Sequence, residues 1–395
     1  MAKSTISPDR AAKLRKLAAL MNTRHKVPFP VTEEMLRCFD IVLTPPEIDF
    51  LLRMGVEPYD YHRAKSESPL PEPDFAAFFE ALVRKGFIWP NEPGQEGDYI
   101  LPGMMVGWFE VFLSDGAETP EKREFARRVD AMLRSYGKLN SFPSRGIINY
   151  RFRRAVPFQS ILAPRNSPKR SEGRKVAVGK TLDSEPTRIY PAKTVEEIIQ
   201  TQPEGDSIAL VHCFCRQYRK MIDQPCRFEH PSQCCIAIGR LGSYAVEHGV
   251  GRFVSKSEAI SLLHELQAKG AVHQVFHKNE DFHSPEFAIC NCCWDCCGVF
   301  GSYNRGILPL NLHSYFEAKL QDPGLCSGCA TCVDFCPVHA ITMEKDICRI
   351  DPANCIGCGQ CEIHCPEEAL RLIENERRVF LPLKKKSEAR IHDLE

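Results

Sequence analysis

A chain of 395 residues has room for two or three domains with buried cores, and its 43% hydrophobic fraction is ordinary for a globular protein. Its 51 basic and 51 acidic residues cancel, which excludes a global electrostatic pull toward nucleic acid or membrane. No stretch approaches the roughly 18 apolar residues of a transmembrane helix. The basic start, "MAKSTISPDRAAKLRKLAALMNTRHK", has too short an apolar stretch for a signal peptide, so the expected location is cytoplasmic. Of 20 cysteines only Cys38 precedes residue 213, and the remaining 19 lie between 213 and 365. Disulfide-rich chains are usually short and exported, so this distribution points to metal.

In chain order, residues 30–113 read as a small module of helices and short strands. Thr44 is an N-cap, followed by prolines in the first turn and by Glu47 at the capping-box position; this predicts a helix that stops at Gly55. A second helix is predicted from Asp74 to Gly86, then two short strands, "FIW" and "DYIL", around "PNEPGQEG". Helix, loop, helix and a two-stranded wing resembles a winged helix-turn-helix domain, and a further helix follows at about 121–136. The would-be recognition helix carries two acidic and two basic residues, and exposes Ala, Glu and Asp where base-reading side chains are wanted. A structural or docking role is therefore expected over DNA recognition. Residues 164–188, rich in Pro, Ser, Gly and basic residues, read as a solvated linker whose charges can also touch nucleic acid or an acidic partner.

Ten cysteines then fall into two sequence groups. Cys213, Cys215, Cys226, Cys234 and Cys235 form the first; Cys290, Cys292, Cys293, Cys296 and Cys297, in "CNCCWDCC", form the second. Between them "SKSEAISLLHELQAKG" predicts a helix capped by Ser255 and Glu258 and ended by Gly270, and "AVHQVFH" predicts a strand. Folding back of these elements can bring both groups to one place. Crowded thiolates repel one another and are tolerable when metal holds them. The candidate metal ligands are Cys213, Cys215, Cys226, Cys234, Cys290, Cys292, Cys293, Cys296 and Cys297. Iron-sulfur clusters are favoured over zinc or redox-active dithiols by ligand softness and by the motif that follows. Trp294 is expected to act as an apolar lid. His212, His273, His277 and His283 are expected to pack or support rather than ligate, and Arg216 either stabilises an anionic centre or is a surface charge.

The tail carries the most specific signal. "CSGCATCVDFCP" places Cys326, Cys329, Cys332 and Cys336 at C-x2-C-x2-C-x3-C-P, and "CIGCGQCEIHCP" repeats the pattern 29 residues later with Cys355, Cys358, Cys361 and Cys365. "AITME" and "ALRLI" repeat behind them, which marks an internal duplication. The twin repeats make zinc a poor fit. The stretch resembles the bacterial two-cluster [4Fe-4S] ferredoxins in all eight ligand positions and both prolines. That resemblance implies a crossed ligand set, with Cys326, Cys329, Cys332 and Cys365 on cluster 1 and Cys355, Cys358, Cys361 and Cys336 on cluster 2. Cys348, in the strand between the repeats, is expected to pack against a cluster without ligating it, and Cys38 to be a small buried hydrophobe. Residues 321–370 hold eight acidic against two basic residues, which favours a low potential and a redox partner with a basic docking face.

The C-terminal half resembles a broader set of multi-cluster iron-sulfur proteins of anaerobic metabolism that pair a "C-x-C-R" and a "C-N-C-C" segment with a terminal ferredoxin. By that resemblance a cysteine is expected where Asp295 stands, and an aliphatic residue at Cys235. The expected organisation is α+β and multidomain. It comprises a winged-helix-like helical domain (1–160), a basic linker (161–190), a cysteine-rich α/β metal-binding module (191–318), a 2[4Fe-4S] ferredoxin domain (319–383) and a charged tail (384–395). No dinucleotide fingerprint, Walker loop or nucleophile elbow identifies a catalytic residue or an organic substrate. The expected function is single-electron transfer by a polyferredoxin-like protein, or by the iron-sulfur subunit of a larger oxidoreductase, through two [4Fe-4S] clusters and one or two more in the middle module. Competing readings are a redox-sensing winged-helix DNA-binding regulator and catalysis at the middle module.

Overall fold

The computed structural model describes all residues except 1–5, 26–27, 92–95, 105–106, 139–143, 158, 163–193, 204, 206, 279–283 and 392–395. The expected linker is thus almost wholly outside the described residues, as are His283 and the end of the expected tail. Helix and strand are mixed, 43% and 20%, consistent with an α+β class.

The N-terminal region is helical. The capping box at Thr44 forms: Thr44 N and Oγ1 donate to Glu47 Oε2 at 2.7 and 2.9 Å, starting the helix Pro45–Met54, and Gly55 ends it at φ +69°. The helix Asp74–Arg84 follows, then strands β1 (Trp89–Pro90) and β2 (Tyr99–Ile100), paired antiparallel, and later the helix Pro120–Lys138. Trp108 stacks on Phe39 and Phe87 at 4.5 and 5.0 Å in the centre of this core. Cys38 lies in it too, fully buried, and burial pushes its thiol pKa up.

Three charges of the helix Asp74–Arg84 and its cap, Glu80, Arg84 and Lys85, are engaged within the molecule. Arg84 pairs with Glu80 at 2.9 Å, Lys85 with Glu47 at 2.8 Å, and Glu80 with His248 at 2.8 Å. Tyr244 donates to Ile88 O at 2.9 Å. The N-terminal core also takes in Phe214, Tyr218 and Met221 of the helix Phe214–Met221.

Downstream, one eight-stranded sheet organises the chain. Its strands are β3 (Gln159–Leu162), β4 (Ile208–His212), β5 (Gln233–Ile238), β6 (Gly251–Phe253), β7 (Val272–His277), β8 (Glu286–Cys292), β9 (Leu310–Leu320) and β12 (Leu370–Leu381). A separate hairpin joins β10 (Ile341–Glu344) to β11 (Ile347–Ile350). The order across the sheet is β12-β9-β3-β7-β8-β5-β4-β6, with β3 and β9 the one parallel pair. The cysteine-repeat tail is thereby built into the same sheet as the middle segment, since β12 runs antiparallel to β9 and β9 crosses residues 318 and 319.

Alternation along these strands separates two chemistries. Leu210, Ile236, Ile289 and Val275 point into an apolar core with the helices Val195–Thr201 and Lys256–Ala268. Their neighbours Cys235, Ala237, Ala288, Cys290, Cys292 and Gln274 line the opposite face, toward the N-terminal helices. Ser255 caps the helix Lys256–Ala268 through Glu258 N at 3.1 Å, at the position its capping residues predict.

Candidate metal centres

In the tail the duplicated loops build two small cavities of about 20 Å³ each. Cys326, Cys329, Cys332 and Cys365 line one, with Cys348 beside them. Cys336, Cys355, Cys358 and Cys361 line the other. Each cavity thus takes three thiols from one repeat and one from the other.

The loops around them suit an anionic sulfur-rich group. Ala340 N donates to Cys336 Sγ at 3.2 Å, Ala318 N to Cys355 Sγ at 3.4 Å, and Thr331 Oγ1 to Cys329 Sγ at 3.4 Å. Backbone amides pull the Cys326 thiol down, and the Thr331 hydroxyl and amide do the same for Cys329. Burial acts the other way on Cys336, Cys358 and Cys361, whose thiols are pushed up, so bound metal is what would hold them as thiolates. Gly357 shows how tightly the second loop is wound: at φ +67°, an added Cβ would meet Phe316 O at 2.1 Å. The four repeat-motif thiols of each cavity and the donors aimed at sulfur fit a [4Fe-4S] group in each.

The middle segment is built differently. Its ten thiols do not keep their two sequence groups. Side-chain contacts run from Cys213 to Cys235, Cys290, Cys292, Cys297, Cys215 and back to Cys213, with Cys234 against both Cys213 and Cys235. Seven thiols therefore form one closed group drawn from both stretches. Cys226, Cys293 and Cys296 form a second, with Sγ of Cys293 3.6 Å from Cys226 and 3.0 Å from Cys296. Cys235, absent from the expected ligand set, belongs to the larger group; its alternation with Ala237 on β5 is the signal that places it there.

Local structure explains these positions. Cys213 precedes the helix Phe214–Met221, which the N-terminal core anchors, so that core fixes Cys213 and Cys215. Cys290 and Cys292 share one face of β8, and Cys293–Cys297 form the loop beyond it. Gly298 N donates to Cys215 Sγ at 3.1 Å, Val299 N to Cys297 Sγ at 3.3 Å and Gln274 Nε2 to Cys292 Sγ at 3.4 Å. Hydrogen bonds from Cys293 and Cys296 pull the Cys226 thiol down.

Arg216 is not a surface charge. It is 3% exposed, and donates through Nη1 to Cys234 Sγ and through Nη2 to His230 Nδ1 and Asn291 O, both at 2.7 Å. Burial alone would lower its pKa, but the thiols of Cys213 and Cys234 in one group and of Cys296 and Cys293 in the other raise it. A fixed cation thus stands between the two thiol groups.

Asp295, where the resemblance expects a cysteine, is buried but lies outside the three-thiol group. It accepts from Arg227 N at 3.2 Å and pairs with Arg305 at 3.5 Å. His273 bonds Asn291 Oδ1 at 2.7 Å and burial lowers its pKa to about 4, while His277 bonds Ser160 Oγ at 2.8 Å. Among the described residues, the close groups of three or more potential ligands hold cysteines alone. Trp294 packs edge-on against Phe228 and lies under the Arg390 guanidinium at 3.5 Å.

The two regions touch around Trp294 and Cys336. Asn304 Nδ2 donates to Trp294 O at 3.1 Å and to Pro337 O at 3.0 Å, and Arg390 Nη1 donates to Cys336 O at 3.1 Å. Cys292 and Cys297 share one buried core with Cys332, Cys336, Cys348, Cys355 and Cys361.

Residues 325–369 match the family model of the 4Fe-4S dicluster domain. No curated protein and no solved structure matches the chain. No helix among the described residues is long and apolar enough to cross a membrane.

Proposed function

We propose that the chain is an iron-sulfur electron-transfer protein, polyferredoxin-like or the iron-sulfur subunit of a larger oxidoreductase, in which the C-terminal unit and the middle thiol groups form one relay. When bound, a [4Fe-4S] group supplies one-electron transfer. The ligand sets are Cys326, Cys329, Cys332 and Cys365 for one centre and Cys355, Cys358, Cys361 and Cys336 for the other, with one or two further centres on the middle cysteines. The observation that carries the reading is the shared buried core of Cys292 and Cys297 with five tail cysteines, bridged by Asn304 and Arg390.

In this reading the protein's own groups do three things. The amides of Ala318, Ala340, Gly298 and Val299 stabilise charge on sulfur, Arg216 offsets the charge of both middle groups, and the buried Asn304 bridge fixes their spacing to the tail. Eight acids against two bases at residues 321–370 present an acidic face to a partner with a basic docking surface. All 20 thiols are free, which fits a reducing compartment.

The redox-sensing DNA-binding alternative has less support. The helix Asp74–Arg84 directs Glu80 to His248 and Arg84 to Glu80, which suits docking on the middle segment rather than reading of bases. A stepwise reductive titration followed by EPR tests the proposal. Interacting signals from the tail centres, plus at least one signal that Cys213→Ala abolishes, support the relay; tail signals alone, unchanged in that variant, refute it.

A further inference from the structure

Six thiols of the larger group, with Cys293 and Cys296 of the smaller, line one end of the same space: a cavity of about 280 Å³, far larger than the two tail cavities of about 20 Å³ each. Its walls have a definite character. Phe152, Phe214, Phe276 and Phe287 contribute rings, while Ala237 and Ala288, register partners on β5 and β8, keep the floor open where larger side chains would fill it. Leu241 closes the side toward the helix Arg240–Glu247.

Among the described residues, three buried polar side-chain atoms of this lining have no hydrogen-bond partner. Gln274, fully buried, donates its Nε2 to Cys292 Sγ and leaves Oε1 unbonded; Nε of the buried Arg216 and Nδ1 of His212 are unbonded as well. A buried acceptor and donors left bare cost free energy, and in the lining of an apolar space they are the points at which a ligand's polar group can be held.

We propose that this cavity binds a small, largely apolar aromatic molecule, its ring against the phenylalanines and its single polar group at Gln274 Oε1 and Arg216 Nε beside the thiols. A phenolic hydroxyl has the required valence, donating to the glutamine oxygen and accepting from the guanidinium. The site goes beyond a relay, for it gives the middle segment an organic ligand, and its binding does not depend on the electron-transfer reading.

The test is equilibrium dialysis of 2-naphthol against the anaerobically purified full-length protein, the iron content of each preparation being measured alongside. Ala288→Phe fills the floor and Leu241→Trp the side wall. The expected result is one saturable site per chain that weakens by about tenfold or more in either variant that retains the parental iron content. If Ala288→Phe fails to load or fold, Leu241→Trp decides. No saturable binding to the parent protein, as when a larger inorganic group fills the space, overturns the proposal. So does parental affinity in the properly loaded variants.

Discussion

The tail and the middle segment solve the same problem, holding crowded thiols, in opposite ways. The tail spaces its eight motif cysteines by a local rule, so each cavity is a small unit with four of them and about 20 Å³ of space. The middle segment collects ten thiols from a helix start, two strands and two loops. It divides them seven and three, sets Arg216 between the groups and leaves a cavity of about 280 Å³ that thiols of both groups line. Regular spacing yields a self-contained centre, whereas thiols assembled by the sheet remain open to a further ligand.

Substitutions can break this contrast. The largest effect is expected from Cys336→Ala, which should cost the tail one centre, about four irons per chain, and leave the middle segment's metal in place; loss of all the iron would show that the regions are not separate units. Arg216→Ala leaves the surrounding thiols without their buried counter-charge. Chemical denaturation of that variant should show a loss of about 3–5 kcal/mol, with metal leaving the middle segment first. Arg216→Lys should recover only part, because a point charge cannot serve Cys234, His230 and Asn291 at once. Gly357→Ala should strain the second tail loop by roughly 1–3 kcal/mol, read as faster bleaching of the tail centres on warming. The smallest change is expected from Cys38→Ala: about 1 kcal/mol lost from the N-terminal core, with the iron count unaltered. Iron loss there would place a ligand where the account has only packing.

What the sequence revealed follows the range over which each feature is determined. The tail cysteines, the Thr44 and Ser255 caps and the helix Asp74–Arg84 depend on residues a few positions apart, and all were legible. The seven-and-three division was not. Cys226 joins Cys293 and Cys296 across some 70 positions, and Cys235 meets Cys290 because β5 pairs with β8, a register that no local pattern announces. The pairing of β12 with β9 was hidden for the same reason: "RLIENERRVFL" reads as polar sequence until a long partner strand lies beside it. Arg216 was ambiguous because its burial is set by elements 14 to 75 positions away.

The central claim, that the middle thiols hold iron and sulfide as the tail's do, is tested most directly by counting iron and acid-labile sulfide in protein purified without oxygen. The account predicts about twelve or sixteen of each per chain, whereas about eight would confine the clusters to the tail and contradict it.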